Sequence, residues 1–355
     1  MAQSLSSRIF GVLPNGQSVE AWTLSGSGGL SLEAITYGAT ITRLVVPGRD
    51  GSATDVVLGF NNLQSYLASP SYIGAMIGRV AGRVTGGRFT LEGKTYELAR
   101  NEAPNHLHGG VEGFDKKLWT AEPFQNGGPP SLRLTYRSPG GEEGYPGAVN
   151  VTVTYTVTDG NVLLVESEAV TDHPTPLALT QHSYFNLAGE SAGSIADHEL
   201  QIHADESVAV DDRMTLLGRL DSVAGRGNDF RQSRCVGAAI PQLFRHHGDL
   251  YRIRRAASGD PPSRLAPAAR LFHPGSGRLL EVSTTEAYMQ LYTGSGLDGS
   301  VAGKSGVPYA PHAGLCLECQ GYADGPNASA LGDIILRPGT SRRETTAYAF
   351  SAIGQ

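Results

Sequence analysis

The chain has 355 residues, 17% of them charged and 40% hydrophobic, which is enough apolar material for a sizeable core and far from a disordered composition. A net charge of −6, from 28 basic against 34 acidic residues, argues against a nucleic-acid surface, and lysine at only Lys94, Lys116, Lys117 and Lys304 leaves no polybasic membrane patch. Three cysteines cannot pair completely, the start MAQSLSSRIFGVLPNGQS lacks a long apolar run, and no segment reaches membrane-spanning length, so a soluble protein of the reducing cytoplasm is expected.

Period-two alternation dominates the chain. SLEAITYGATITRLVV (31–46) alternates polar and apolar residues about Gly38, read as a bulge or bend, and 61–67 forms a short turn of helix. Strands are predicted over 87–91 and 132–137. The clearest hairpin is AVNVTVTYTVTDGNVLLVESEAV (148–170), two β-branched runs about Asp159-Gly160, a dipeptide suited to the positive φ of tight turns. A strand over 199–204 follows, and the three prolines within 252–269 predict a long surface loop. The remaining strands are expected over 279–284, 289–293, 314–318 and 345–351. With 46 glycines and 20 prolines for turns and no repeat of fixed period, the pattern favours one large antiparallel β-sandwich over residues 1–355, all-β with few short helices, and not a propeller.

Three segments carry candidate chemistry. In TQHSYFNLAG (180–189), His182 sits among Tyr184, Phe185 and Leu187, either as a satisfied core histidine or as a proton donor tuned by its surroundings. In NHLHGG (105–110), His106 and His108 would share a face of an extended segment, but no Cys or carboxylate completes a metal set nearby. In GLCLECQ (314–320), alternation sends Leu315, Leu317 and Cys319 one way and Cys316, Glu318 and Gln320 the other. That separation discounts a Cys316–Cys319 redox pair, and it leaves a carboxylate on an apolar strand that needs a partner or a job. IGRVAGRV adds Arg79 and Arg83, and HHGDLYR adds Asp249 beside His246 and His247.

In shared order these stretches, with EEGYPG, TDHPTPLALTQHSYFNLAG, DHELQIHAD, NDFR, SGRLLEV and QLYTG, resemble the aldose 1-epimerase (galactose mutarotase) family. The resemblance implies a large twisted β-sandwich that interconverts the α and β anomers of free aldohexoses without a cofactor or metal, as a monomer or homodimer. It makes Glu318 the general base and His182 the general acid, with His108, Arg83, Asp249 and Gln290 as contacts to the sugar. Three positions depart from the family pattern: Gly82 and Gln181 each stand where an Asn is usual, and the segment around the sugar-binding Asp survives only as Gly248-Asp249-Leu250-Tyr251. Two rivals are a hexose-6-phosphate 1-epimerase, which needs a cationic phosphate pocket, and a non-catalytic sugar-binding sandwich, which needs no acid–base pair.

Overall fold

The computed structural model describes residues 3–125, 127–255 and 264–354. Its longer strands make three antiparallel sheets. Ser4–Val12, Ser18–Ser25, Ser31–Ile35, Thr40–Pro47 and Ala53–Asp55 form the first, in chain order. In the nine-stranded sheet, Arg342–Ala352 lies between Val162–Thr171 and Arg278–Thr284, so the end of the chain closes the middle of the sheet. The third runs Leu216–Ser222, Ala204–Val210, Leu250–Ile253, Tyr288–Tyr292, Cys316–Gln320.

One apolar cluster draws on all three sheets, among others through Leu24 and Leu44, Val151, Val153 and Phe350, and Tyr251, Met289 and Leu317. The hairpin Val149–Val157/Val162–Thr171 shows why: Val149, Val151, Val153 and Tyr155 alternate inward, and the Tyr155 hydroxyl donates to the Ala39 carbonyl at 2.6 Å. Its turn differs from expectation in one respect. The left-handed residue is Asn161 (φ 58°), not Gly160, because the loop spans four residues and the Asn161 side chain accepts from the Leu30 amide. Asp159, bonded to the Ser27 amide and Gln3, is held down to about pKa 2 by those hydrogen bonds.

Residues 31–46 prove to be a hairpin instead of one bent strand: Ser31 pairs with Val45 and Ile35 with Thr40, and Gly38 (φ 65°) and Ala39 (φ 47°) turn the chain back. The helical turn is Leu63–Ala68, capped by the Asn62 side chain on the Ser65 amide. The predicted loop 252–269 is shorter than expected, since its ends belong to the strands Leu250–Ile253 and Ala266–Phe272, and 256–263 lie outside the described residues.

Candidate active site

Strand alternation gives Glu318 its direction. All of Cys316–Gln320 is buried, yet Leu317 and Cys319 enter the main core while Glu318 and Gln320 face a pocket of about 220 Å³. Antiparallel register sets Gln290 beside Glu318, on the same face and lining the same pocket. Glu318 Oε2 and Gln320 Oε1 are buried with no hydrogen-bond partner in the protein, an arrangement that costs free energy unless a ligand satisfies it.

His182 arrives on a separate segment. The short strand Thr180–Gln181 pairs with Met76–Ile77, and His182 exchanges backbone hydrogen bonds with Ala75 and Gly74 at 2.9 Å each. Gln181 tightens this connection: its amide donates to Gly74 O at 2.7 Å and accepts from Ser183 N at 2.8 Å. The departure at this position therefore braces the backbone that carries His182. Nε2 of His182 then stands 3.7 Å from Glu318 Oε1, with both side chains almost wholly buried, and Nδ1 lies 3.5 Å from the Cys316 sulfur. Tyr184 and Tyr72 flank the ring at centroid distances of 5.1 and 6.0 Å.

Burial sets the protonation of the pair. Desolvation raises the Glu318 carboxyl to about 8, opposed by the Arg83 charge, and it lowers the His182 imidazole to about 4. Both shifts favour the uncharged forms. A protonated Glu318 with neutral His182 holds the same number of protons as a carboxylate with imidazolium, so one proton can pass between them without a change in net charge.

His108 and Arg83 form the wall beside Gly82. His108 is left-handed (φ 52°), which swings its ring into the pocket, while Gly109 (φ 83°) packs so closely that a Cβ there would overlap the Gly78 carbonyl oxygen. The two histidines of NHLHGG therefore part company, contrary to a shared face. His106 turns inward to Ala99 O and the Tyr145 hydroxyl, at 2.7 and 2.8 Å. The Gly82 amide donates to His108 Nδ1 at 3.1 Å, which leaves the neutral ring carrying its proton on Nε2. Arg83 is gripped at 2.6 and 2.7 Å by both oxygens of Glu102, through Nε and Nη2, leaving Nη1 outside that pairing. Arg79, by contrast, is buried against Ser138, Pro139, Pro146 and Thr175 and serves the fold.

His108, His182 and Glu318 also bring donor atoms within 4.8 Å of one another, a candidate metal cluster. Ligation through His108 Nε2 would need the ring proton moved to Nδ1, where the Gly82 amide already donates, so this donor set suits proton transfer better than a divalent ion.

Asp249 is the sequence candidate that the structure leaves out of the pocket. Leu250 pairs with Gln290 on the pocket face, so the preceding residue points to the other side, toward Tyr251 and a hydrogen bond from Asn228. Burial there raises its carboxyl above the ordinary range. Asp249→Asn is expected to leave KM for galactose within about twofold; a tenfold rise in polarimetric kinetics would return the residue to the sugar.

Among the pocket-lining residues that sequence reasoning did not name as site residues are Tyr72, Glu102, His247 and Gln320. Gln320 shares the parity of Glu318 and was within reach of the alternation pattern. Glu102 had no local signal, because its meaning lies in Arg83, 19 positions earlier.

A family model described as aldose 1-epimerase matches residues 20–349. The chain is 44% identical to galactose mutarotase of Bos taurus, over 98% of this chain and 99% of that protein, and 33% identical to aldose 1-epimerase of Escherichia coli (strain K12), over 96% and 97%. A solved aldose epimerase homologue from C. elegans superposes with a TM-score of 0.85 at 29% identity, covering 99% of this chain and all of that one. The paired carboxyl and imidazole thus lie in a large antiparallel β-sandwich of the galactose mutarotase type, and the chain belongs to the aldose 1-epimerase family.

Proposed function

We propose that this aldose 1-epimerase, an isomerase, opens and recloses the pyranose ring of free aldohexoses with Glu318 as base and His182 as acid. The observation that carries the reading is their 3.7 Å approach inside a buried pocket of sugar size. Glu318 takes the proton from the C1 hydroxyl as His182 gives one to the ring oxygen, the C1–O5 bond breaks, and the open aldehyde rotates about C1–C2. Glu318 gains a proton from the sugar as His182 loses one to it, so the pair passes from its charged to its neutral tautomer. Burial favours the neutral tautomer, so the charged tautomer that opens the ring is the less populated one and must form from it by transfer of a single proton. Reclosure on either face returns both protons. His108 through Nε2–H, Arg83 through Nη1 and the Gln290 amide hold the sugar hydroxyls, so that rotation occurs in place.

Charge supports free sugars over hexose 6-phosphates. Arg83 is the one fixed cation among the pocket-lining residues, and Glu102 already neutralises it bidentately. The acid–base pair likewise favours catalysis over a sugar-binding module. No helix among the described residues is long and apolar enough to cross a membrane. Three free cysteines, two of them buried, support a reducing compartment such as the cytoplasm, where the enzyme is proposed to work as one domain, in a monomer or homodimer. Polarimetry of freshly dissolved α-glucose, α-galactose and glucose 6-phosphate tests the assignment. Both free sugars are expected to turn over at least about tenfold better in kcat/KM than the phosphate, the discrimination of one unpaired charge. Preference for the phosphate would transfer the enzyme to the rival branch.

A further inference from the structure

The wall opposite His108 and Arg83 has no carboxylate where the family resemblance leads one to expect it, since Asp249 turns to the other side of its strand, toward Tyr251. His247 lines the pocket there instead. We propose that His247 is the specificity-determining residue of this wall, accepting a hydrogen bond through Nε2 from one hydroxyl of the aldohexose, and so replaces a charged acceptor with a neutral one.

The backbone holds this ring in place. Arg245 and His246 are both left-handed (φ 50° and 56°), a conformation that side-chain-bearing residues adopt only when their surroundings enforce it. The surroundings here are the neighbouring strand: Thr293 N donates to His247 O at 2.8 Å, and the Thr293 hydroxyl donates to His246 O. Gly248 (φ 108°) then passes so close to Leu291 that a Cβ would overlap its carbonyl oxygen. The chain is thereby pressed onto Tyr288–Tyr292, and the His247 ring lies on the Tyr292 ring at 4.5 Å and 34°.

Hydrogen bonding then sets the tautomer. Nδ1 of His247 lies 3.3 Å from Gly248 O, an acceptor only, so the neutral ring places its proton on Nδ1 and an unshared pair on Nε2. Two rows of the sheet separate this end from Gln320. Tyr292 pairs with Cys316, Gln290 with Glu318 and Tyr288 with Gln320, so a ring seated over Glu318 reaches His247 at one end and the Gly82–His108–Gln320 wall at the other. At that second wall His108 Nε2–H donates. The two histidines therefore offer complementary roles, donor at one end and acceptor at the other, and a hexose hydroxyl can meet either.

The inference rests on the epimerase reading above and is tested separately from it. His247→Phe keeps the ring on Tyr292 and removes the nitrogen. Its expected effect is a rise in KM for galactose of roughly three- to tenfold with kcat within twofold, the worth of one neutral hydrogen bond. His247→Asn, which keeps a short acceptor, should recover part of that loss. Wild type and His247→Phe are then compared on 2-deoxy-, 3-deoxy-, 4-deoxy- and 6-deoxygalactose, with circular dichroism as a check of folding. One deoxy sugar should lose the difference between the two enzymes, and it identifies the hydroxyl that His247 holds. Unchanged KM in a folded His247→Phe protein, or an equal penalty on every deoxy sugar, overturns the proposal. A wild type that prefers hexose phosphates would instead overturn the free-sugar reading and leave the role of His247 to be judged on those substrates by the same variant.

Discussion

Glu318→Gln is expected to lower kcat by roughly 10²–10⁴ in a protein that still folds and still binds sugar. The amide has the shape of the carboxyl and can occupy the same place beside Gln290, but it cannot accept a proton from the C1 hydroxyl. His182→Gln should fall in the same range, since it removes the group 3.7 Å away that serves the ring oxygen. The double variant should lose less than the product of the two losses, because one proton's passage needs both partners. The measurement is kcat by polarimetry, with a sugar-binding titration. Wild-type kcat in folded Glu318→Gln would remove this residue from catalysis. Stability offers an independent check. A carboxyl raised to about 8 binds its proton more tightly in the folded than in the unfolded chain, so its contribution is full below the ordinary carboxylate range and is lost as pH rises toward 8. His182, lowered to about 4, acts oppositely, adding stability as pH rises from about 4 through the ordinary imidazole range near 6.5. Glu318→Gln should therefore remove the decline of Tm on the alkaline side of pH 6.5, and on the acid side it should leave the His182 rise uncompensated, so that Tm climbs more steeply there than in the wild type.

The kcat/KM profile should be bell-shaped, with limbs near pH 4 and pH 8 that belong to the Glu318–His182 pair as a unit. Below the acid limb the pair holds two protons and neither group can act as base. Above the alkaline limb it holds none to give to the ring oxygen. Between them it carries one, in either tautomer. Each pH unit beyond a limb should cost about tenfold, so the rate at pH 10 should lie roughly 100-fold below the plateau. The neutral histidines of the pocket do not produce the alkaline limb: burial lowers both His108 and His247, which places their titration on the acid side. A profile flat from pH 7 to 10 would show that no proton lost near pH 8 limits the rate, and would overturn the one-proton requirement on the pair.

A good part of this site was legible in the chain itself because a strand has a period of two. Cys316–Gln320 alternates, so the faces of Leu317 and Glu318 followed from their positions, and so did the separation of Cys316 from Cys319. The hairpin 149–171 was legible for the same reason, through long β-branched runs about a turn. Where the reading stopped, local pattern and local geometry had separated. Gly38 marked a bend in the sequence, and only the pairing of Ser31 with Val45 shows that the bend is a complete reversal. His106 and His108 share a parity, but the left-handed backbone at His108 breaks the alternation on which that parity depends.

What the sequence determined by itself was the all-β class and the direction of Glu318, and motif resemblance supplied the proton-transfer groups proposed above. Tertiary structure alone decided which loop residues reach the pocket. Asp249 and His247 are two positions apart, in a segment whose side chains no periodicity orders. Their fates diverge because register with Gln290 turns one away from the pocket, while two left-handed residues and a close glycine set the other over Tyr292. The same holds for the charge state of the pair. Glu318 and His182 can share a proton, as proposed, because folding removes both from water and brings them to 3.7 Å, and desolvation is a property of the packed interior that no stretch of chain carries alone.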